Sequence, residues 1–206
     1  MSYAPPSDLG YIEGDIVLVG NGHVDVDLSM VIDRSPTVVR FNNCDNYGNR
    51  TGRKIDWLAI NNVAQPAMDM LVSGLPACGR DCGVIFTRSA EAHYRYYNAC
   101  RLHESPKALV DVGRSLKFHL GLRSVIEVRK SDAEAAFESL VCLDGQGDFV
   151  MPSAGFSLLH ALVHRKRHGG IFLAGFSFEG WAGHPWRKEK HIAERYAEQG
   201  LSQFLR

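Results

Sequence analysis

One stretch constrains this chain more than any other: Ile16-Val17-Leu18-Val19 running straight into Gly20-Asn21-Gly22. An unbroken apolar, mostly β-branched run suits a strand covered on both faces, as in a parallel sheet. The glycines permit a sharp turn and a close backbone approach to a ligand. A helix is expected next, over 24–32, where Val24, Leu28, Val31 and Ile32 fall at helical spacing. Strand, Gly-rich turn and helix N-terminus together make an anion-binding corner. Two readings stay open here: a nucleotide-phosphate site, or a tight strand-to-helix turn that binds nothing.

The same alternation runs down the chain. Further strands are expected over 37–41, 55–60, 83–87, 107–112 and 171–176. Helices are expected over 65–73, 114–120, 132–143 and 186–198, with one more after Ser89 to about Cys100 and another between the cap Ser153 and the stop Gly169. Alternating strands and helices indicate an α/β fold with a mostly parallel sheet, and 206 residues fit a single Rossmann-like domain, 1–206. Ligands of such sheets bind beyond the carboxyl ends of the strands. That rim would gather Gly20-Asn21-Gly22, Asn42-Asn43 and Pro152-Ser153-Ala154-Gly155, with His184 in a loop able to face it. The polar loop 42–52 is long enough to suggest function.

Charge narrows the partners. Lys plus Arg and Asp plus Glu number 23 each, so no long-range electrostatic grip on nucleic acid is expected. Arg165-Lys166-Arg167-His168 reads as the cationic end of a helix. No apolar run approaches the roughly 18 residues of a membrane span, and Met1 to Pro6 has neither the basic start nor the apolar core of a signal peptide. Five cysteines without framework spacing read as reduced thiols in a cytoplasmic protein. Cys78 and Cys82 lack the second pair that a zinc set needs, so no metal is expected there.

Three separated motifs resemble those of the sialyltransferases. Val19-Gly20-Asn21-Gly22, then Ile32-Asp33, then Val39-Arg40-Phe41-Asn42 resembles the large sialyl motif. Pro152-Ser153-Ala154-Gly155, an apolar helix and Ala174-Gly175-Phe176 resemble the small one. His184-Pro185-Trp186-Arg187-Lys188-Glu189 resembles the very small one. They occur in family order over about half the chain, and 61–150 carries no resemblance. Ala154 stands where the small motif has threonine, and the cysteines of the secretory members are missing. The resemblance is to a short, bacterial-type variant. It implies a GT-A-variant nucleotide-binding α/β fold and inverting, metal-independent glycosyl transfer. The donor would be a CMP-activated acidic sugar of the sialic acid or Kdo type, with no cofactor and a hydroxyl-bearing acceptor. It also implies that Asn21 and Asn42 hold the nucleotide, that Gly20, Gly22, Ser153 and Gly155 surround the donor, that His184 is the general base and that Glu189 is the motif's closing acid.

The residues suit that chemistry independently. Charge developing on a leaving phosphate needs fixed donors, which backbone amides at Asn21-Gly22 and the helix start near Ser153 can supply. Asparagine side chains both donate and accept, as recognition of base and ribose requires. Histidine titrates near neutrality and suits a base. Asp25 and Asp27 have the letters of a D-x-D metal motif but are expected within the helix after the turn, as favourable N-terminal charges. His160 and His164 are expected in a core or subsurface role, and His191 in solvent. His93-Tyr94-Arg95-Tyr96-Tyr97-Asn98 offers packing or an aromatic acceptor surface. A dinucleotide enzyme is disfavoured, since no third glycine follows Gly22 at the fingerprint spacing. A non-catalytic nucleotide-binding accessory protein of the same fold remains the alternative.

Overall fold

The computed structural model describes residues 9–12, 14–99, 111–122, 124–141, 151–165 and 169–206, without the side chains at 11 and 96–99. Its centre is a parallel sheet of seven strands: β1 Ile16–Val19, β2 Thr37–Phe41, β3 Trp57–Ile60, β4 Gly83–Phe86, β5 Val125–Glu127, β6 Ile171–Ala174 and β7 Gln203–Phe204. The order is β5-β4-β3-β2-β1-β6-β7, and every pair is parallel. Chain order runs outward from β1 through β2 to β5 and then returns to β6 on β1's other side. The crevice at the carboxyl end of β1 is therefore the topological switch point.

Helices cover both faces: α1 Ser29–Arg34, α2 Ala64–Ser73, α3 Ala90–Ala99, α4 Gly113–His119, α5 Lys130–Val141, α6 Ala154–Arg165 and α7 Trp186–Glu198. Strand alternation sets the division. Ile16, Leu18, Val39, Phe41, Ala59 and Ile85 pack with α5, α6 and α7, whereas Val17, Val19 and Val38 meet Ile32 of α1, and Leu58, Ile60, Val84 and Phe86 meet α2 and α4. Nine residues of α6 are buried, from Ala154 to Val163. Each buried Leu or Phe among them contributes ~1.5–3 kcal/mol of hydrophobic stabilisation, so this helix is fixed firmly over the sheet.

Several expected boundaries move. The helix expected over 24–32 forms only at Ser29–Arg34. Upstream, Arg50 takes the carbonyls of Val24 and Asp25 through Nη1, and its own carbonyl accepts the Leu28 amide at 2.7 Å. A partner from a distant loop thus captures groups that a helix would need. Asp25 and Asp27 consequently lie outside any helix, and Asp27 Oδ1 accepts the Ser29 amide at 2.9 Å. The strand expected to Phe176 stops at Ala174, because Gly175 turns into the left-handed region at φ 65°. Strands β5 and β7 were not expected; at three and two residues they carry too little pattern to read. The strand expected over 107–112 lies largely outside the described residues; of its described part, Asp111 forms an isolated antiparallel bridge with Val63. Most of the basic run at 165–168 also lies outside, and Arg165 itself pairs with Asp132. The side chains of Tyr96, Tyr97 and Asn98 of the possible aromatic surface also lie outside the description, while Tyr94 is exposed.

Candidate active site at the carboxyl edge of the sheet

Gly20 and Gly22 carry the exit of β1 directly against the exit of β6. Gly20 N–H donates to Ala174 O at 2.8 Å and Gly22 N–H to Gly175 O at 2.9 Å. A Cβ on Gly20 would stand 2.5 Å from Gly175 O, and one on Gly22 would stand 2.7 Å from the Ser177 side chain. Only hydrogen fits at either position. Asn46 clamps the turn from outside, its Nδ2 donating to Gly20 O at 2.9 Å and Gly22 O at 2.6 Å. The Gly22 amide is thus spent within the protein, contrary to its expected role as an anion donor. The Asn21 amide has no acceptor among the described residues.

Asn21 also differs from expectation. Its Nδ2 donates to Phe41 O at 3.2 Å and its Oδ1 accepts the Asp45 amide at 3.2 Å, so the side chain ties β1 to β2. Asn42, at the β2 exit with φ 47°, uses Oδ1 to accept the Asn61 amide at 3.1 Å. Asn61, at the β3 exit, uses its own Oδ1 to accept the Val63 amide at 3.2 Å. Both oxygens being occupied, each amide presents Nδ2 as a donor with no acceptor among the described residues.

Ser153 caps α6 as expected: its Oγ accepts the Phe156 amide at 3.1 Å. The cap is itself held by Glu189 from α7. Ser153 N donates to Oε1 at 2.6 Å and Ser153 Oγ to Oε2 at 2.7 Å. Glu189 is fully buried. Burial lifts its carboxyl to about 7, opposed by the two Ser153 bonds and by Arg88. With Ser153 N and Phe156 N engaged, the first-turn amides of α6 without an acceptor among the described residues are those of Ala154 and Gly155.

His184 sits in the turn before α7. Its Nδ1 lies 2.6 Å from Met151 O. A carbonyl only accepts, so Nδ1 bears the proton and Nε2 keeps its lone pair. Trp181 and Trp186 stand edge-on to the ring at 5.0 and 4.9 Å. Burial first, then the nearby Arg88 charge, depress the imidazole to about 4 against the opposing Met151 bond. The ring is therefore neutral at physiological pH.

These groups meet in one cavity of about 350 Å³. Seven of the eight expected residues line it: Gly20, Asn21, Gly22, Asn42, Ser153, Gly155 and His184. The eighth, Glu189, lies behind it and reaches the cavity only through Ser153. Phe41 and Phe176, edge to face at 5.9 Å, form part of its wall. Among the lining residues that escaped the sequence reading are Asn61 and Arg88. Asn61 was legible as an echo: Asn61-Asn62 follows β3 as Asn42-Asn43 follows β2. Arg88, just before a capping serine, looked like an ordinary helix approach.

No family model matches the chain. Two structures of a mammalian sialyltransferase, one with Gal-beta-1-3GalNAc-ortho-nitrophenol, superpose at TM-scores of 0.55 and 0.56 with 16% and 15% identity. They cover 94% of this chain and 69% of the other. The fold is sialyltransferase-like. By sequence, the chain is 27% identical over 195 residues to the "Urease operon 23 kDa accessory protein" of Rhizobium meliloti (strain 1021), covering 90% of this chain and 89% of that one. The fold expectation therefore holds, as one α/β layer set around a parallel sheet. Among the described residues no helix is long and apolar enough to cross a membrane.

Proposed function

We propose that the chain is an inverting glycosyltransferase that uses a CMP-activated acidic sugar, needs no metal or cofactor, and has His184 as general base. The observation that carries this is the pairing, in one cavity, of a neutral His184 with a free Nε2 and the free amide end of α6. In the reaction, the acceptor hydroxyl oxygen attacks the anomeric carbon from the side opposite the nucleotide. The bond from that carbon to the CMP phosphate breaks, its electrons stay on the phosphate, and the hydroxyl proton passes to His184 Nε2. The Asn21, Ala154 and Gly155 amides and the α6 dipole stabilise the departing phosphate. The donors on Asn42 and Asn61 hold ribose or base. Glu189 acts as a positioning residue that fixes Ser153.

A second reading keeps the nucleotide and drops the transfer. The 27% likeness to a urease operon accessory protein spans nearly both chains, and an imidazole depressed to about 4 is a weak base. On that reading the chain is a nucleotide-binding accessory protein.

Turnover separates the two. With CMP–sialic acid or CMP–Kdo, the wild type should release CMP. His184→Ala should lower the rate by ~10²-fold or more, the usual share of a general base, with CMP affinity unchanged. A wild type that binds CMP but leaves both donors intact is the accessory protein.

A further inference from the structure

Arg88 is a buried cation that the scheme above does not use. It leaves the end of β4 with 6% of its surface exposed and lines the cavity. Nη1 donates to Ser157 Oγ at 2.8 Å and Nη2 to Pro152 O. Among the described residues its wholly buried Nε has no hydrogen-bond partner and no carboxylate forms an ion pair with the guanidinium. Its neighbour Glu189 is turned to Ser153 instead. A buried guanidinium without a directly paired anion is costly, and only the more distant Glu189 charge offsets that here; a charged group so perturbed in a cleft is a functional-site candidate.

We propose that Arg88 reads the carboxylate of an acidic sugar donor, and so sets the class of sugar transferred. This rests on the glycosyl-transfer reading above. Arg88 stands between the two ends of the site: Nη2 bonds Pro152, which joins Met151, whose carbonyl holds the imidazole, to the Ser153 cap, Nη1 bonds Ser157 near the start of α6, and its charge is felt at the His184 ring. In an inverting transfer the phosphate leaves from the face opposite the base. In a 2-keto acid sugar, by contrast, the carboxylate hangs on the anomeric carbon itself, within the region His184 must approach. The charge inventory agrees. Glu179 is the one carboxylate among the lining residues and it is exposed, whereas Asn42, Asn61, Ala154 and Gly155 all offer donors. The guanidinium's planar fork also matches a carboxylate in shape.

Calorimetric titration of the full chain with CMP–sialic acid, the carboxyl methyl ester of that donor, and CMP tests the assignment. The wild type should bind the acid about ten-fold or more tightly than the ester, the scale of one charge-assisted hydrogen bond. In Arg88→Met that preference should fall below about two-fold, with CMP affinity unchanged. A wild type indifferent to esterification overturns the proposal, as does an Arg88→Met variant that loses CMP as severely as the acid. Should Arg88→Met fail to fold by circular dichroism, Arg88→Lys decides: its point charge lacks the fork, and an undiminished preference overturns the proposal. Free sialic acid separates this inference from its foundation. If CMP does not bind the wild type, the nucleotide reading falls. Stabilisation by free sialic acid in the wild type but not in Arg88→Met then still supports the carboxylate site, and stabilisation in neither overturns it.

Discussion

Glu189 has no exposed surface, and both its oxygens are committed to Ser153. Glu189→Gln turns an amide donor toward one of the two Ser153 donors and leaves a buried bond unmade, so it should cost ~1–3 kcal/mol. The cost should depend on pH. Burial raises the carboxyl from 4.5 to about 7, so its contribution to stability is full below pH 4.5 and is lost as pH rises through 7. His184 and His160, both depressed from 6.5 to about 4 chiefly by burial, act oppositely: their contribution is present above pH 6.5 and lost as pH falls through 4. Urea unfolding should therefore show Glu189→Gln more destabilising at pH 5 than at pH 8. An equal cost at both would mean the carboxyl titrates normally. Gly20→Ala makes a second test at this scale. With a Cβ 2.5 Å from the Gly175 carbonyl, it should destabilise by at least ~1–3 kcal/mol, as overpacking does. A neutral result would place the β1 and β6 exits further apart.

Among the elements, the loop between β2 and β3 best shows what the motifs are for. Arg40 is buried in β2, yet it donates to Lys54 O, Thr51 Oγ1, Thr51 O and Gly52 O and lies over the Tyr47 ring. Asp33, just before the end of α1, accepts the Arg53 and Lys54 amides through Oδ1 at 2.8 Å each. Asp33 and Arg40 are thus loop builders, whereas Ile32 packs in the core, and the loop in turn supplies Asn46 to clamp the glycine turn. Arg40→Met should free this loop, seen as faster proteolytic cleavage within 44–54, while the far-ultraviolet spectrum of the sheet and helices persists. Unchanged cleavage would remove Arg40 as the anchor. The central strands and the cap at Ser153 were legible because buried parallel strands and capping serines leave plain local marks. The 24–28 segment was not, since Arg50 overrides its helical spacing from 26 residues away along the chain. The site was legible as a set of positions and less so as roles. Asn21 and Glu189 carry motif letters but spend their polar atoms on the scaffold. Arg88 and Asn61 carry none and face the cavity. Which atoms are already bonded is a property of packing, and spacing along a chain does not encode it.

For the whole molecule, one topological fact places the chemistry. Because β1 lies between β2 and β6, the chain winds away from it in both directions, and the exits of β1, β2, β3, β4 and β6 open on a common rim. Helix α6 brings its amide end to that rim, and α7 brings Glu189 behind Ser153 with His184 just ahead. The central claim is that this rim binds a cytidine sugar nucleotide. Thermal unfolding of the full chain with CMP, NAD or S-adenosylmethionine tests it most directly. At a hundred times its dissociation constant, CMP should stabilise the wild type by ~2.7 kcal/mol, and the other two should leave it unchanged. Asn42→Ala, lacking one of the free donors, should shrink the CMP effect. A melting temperature that CMP does not move, or that NAD moves instead, would contradict the account.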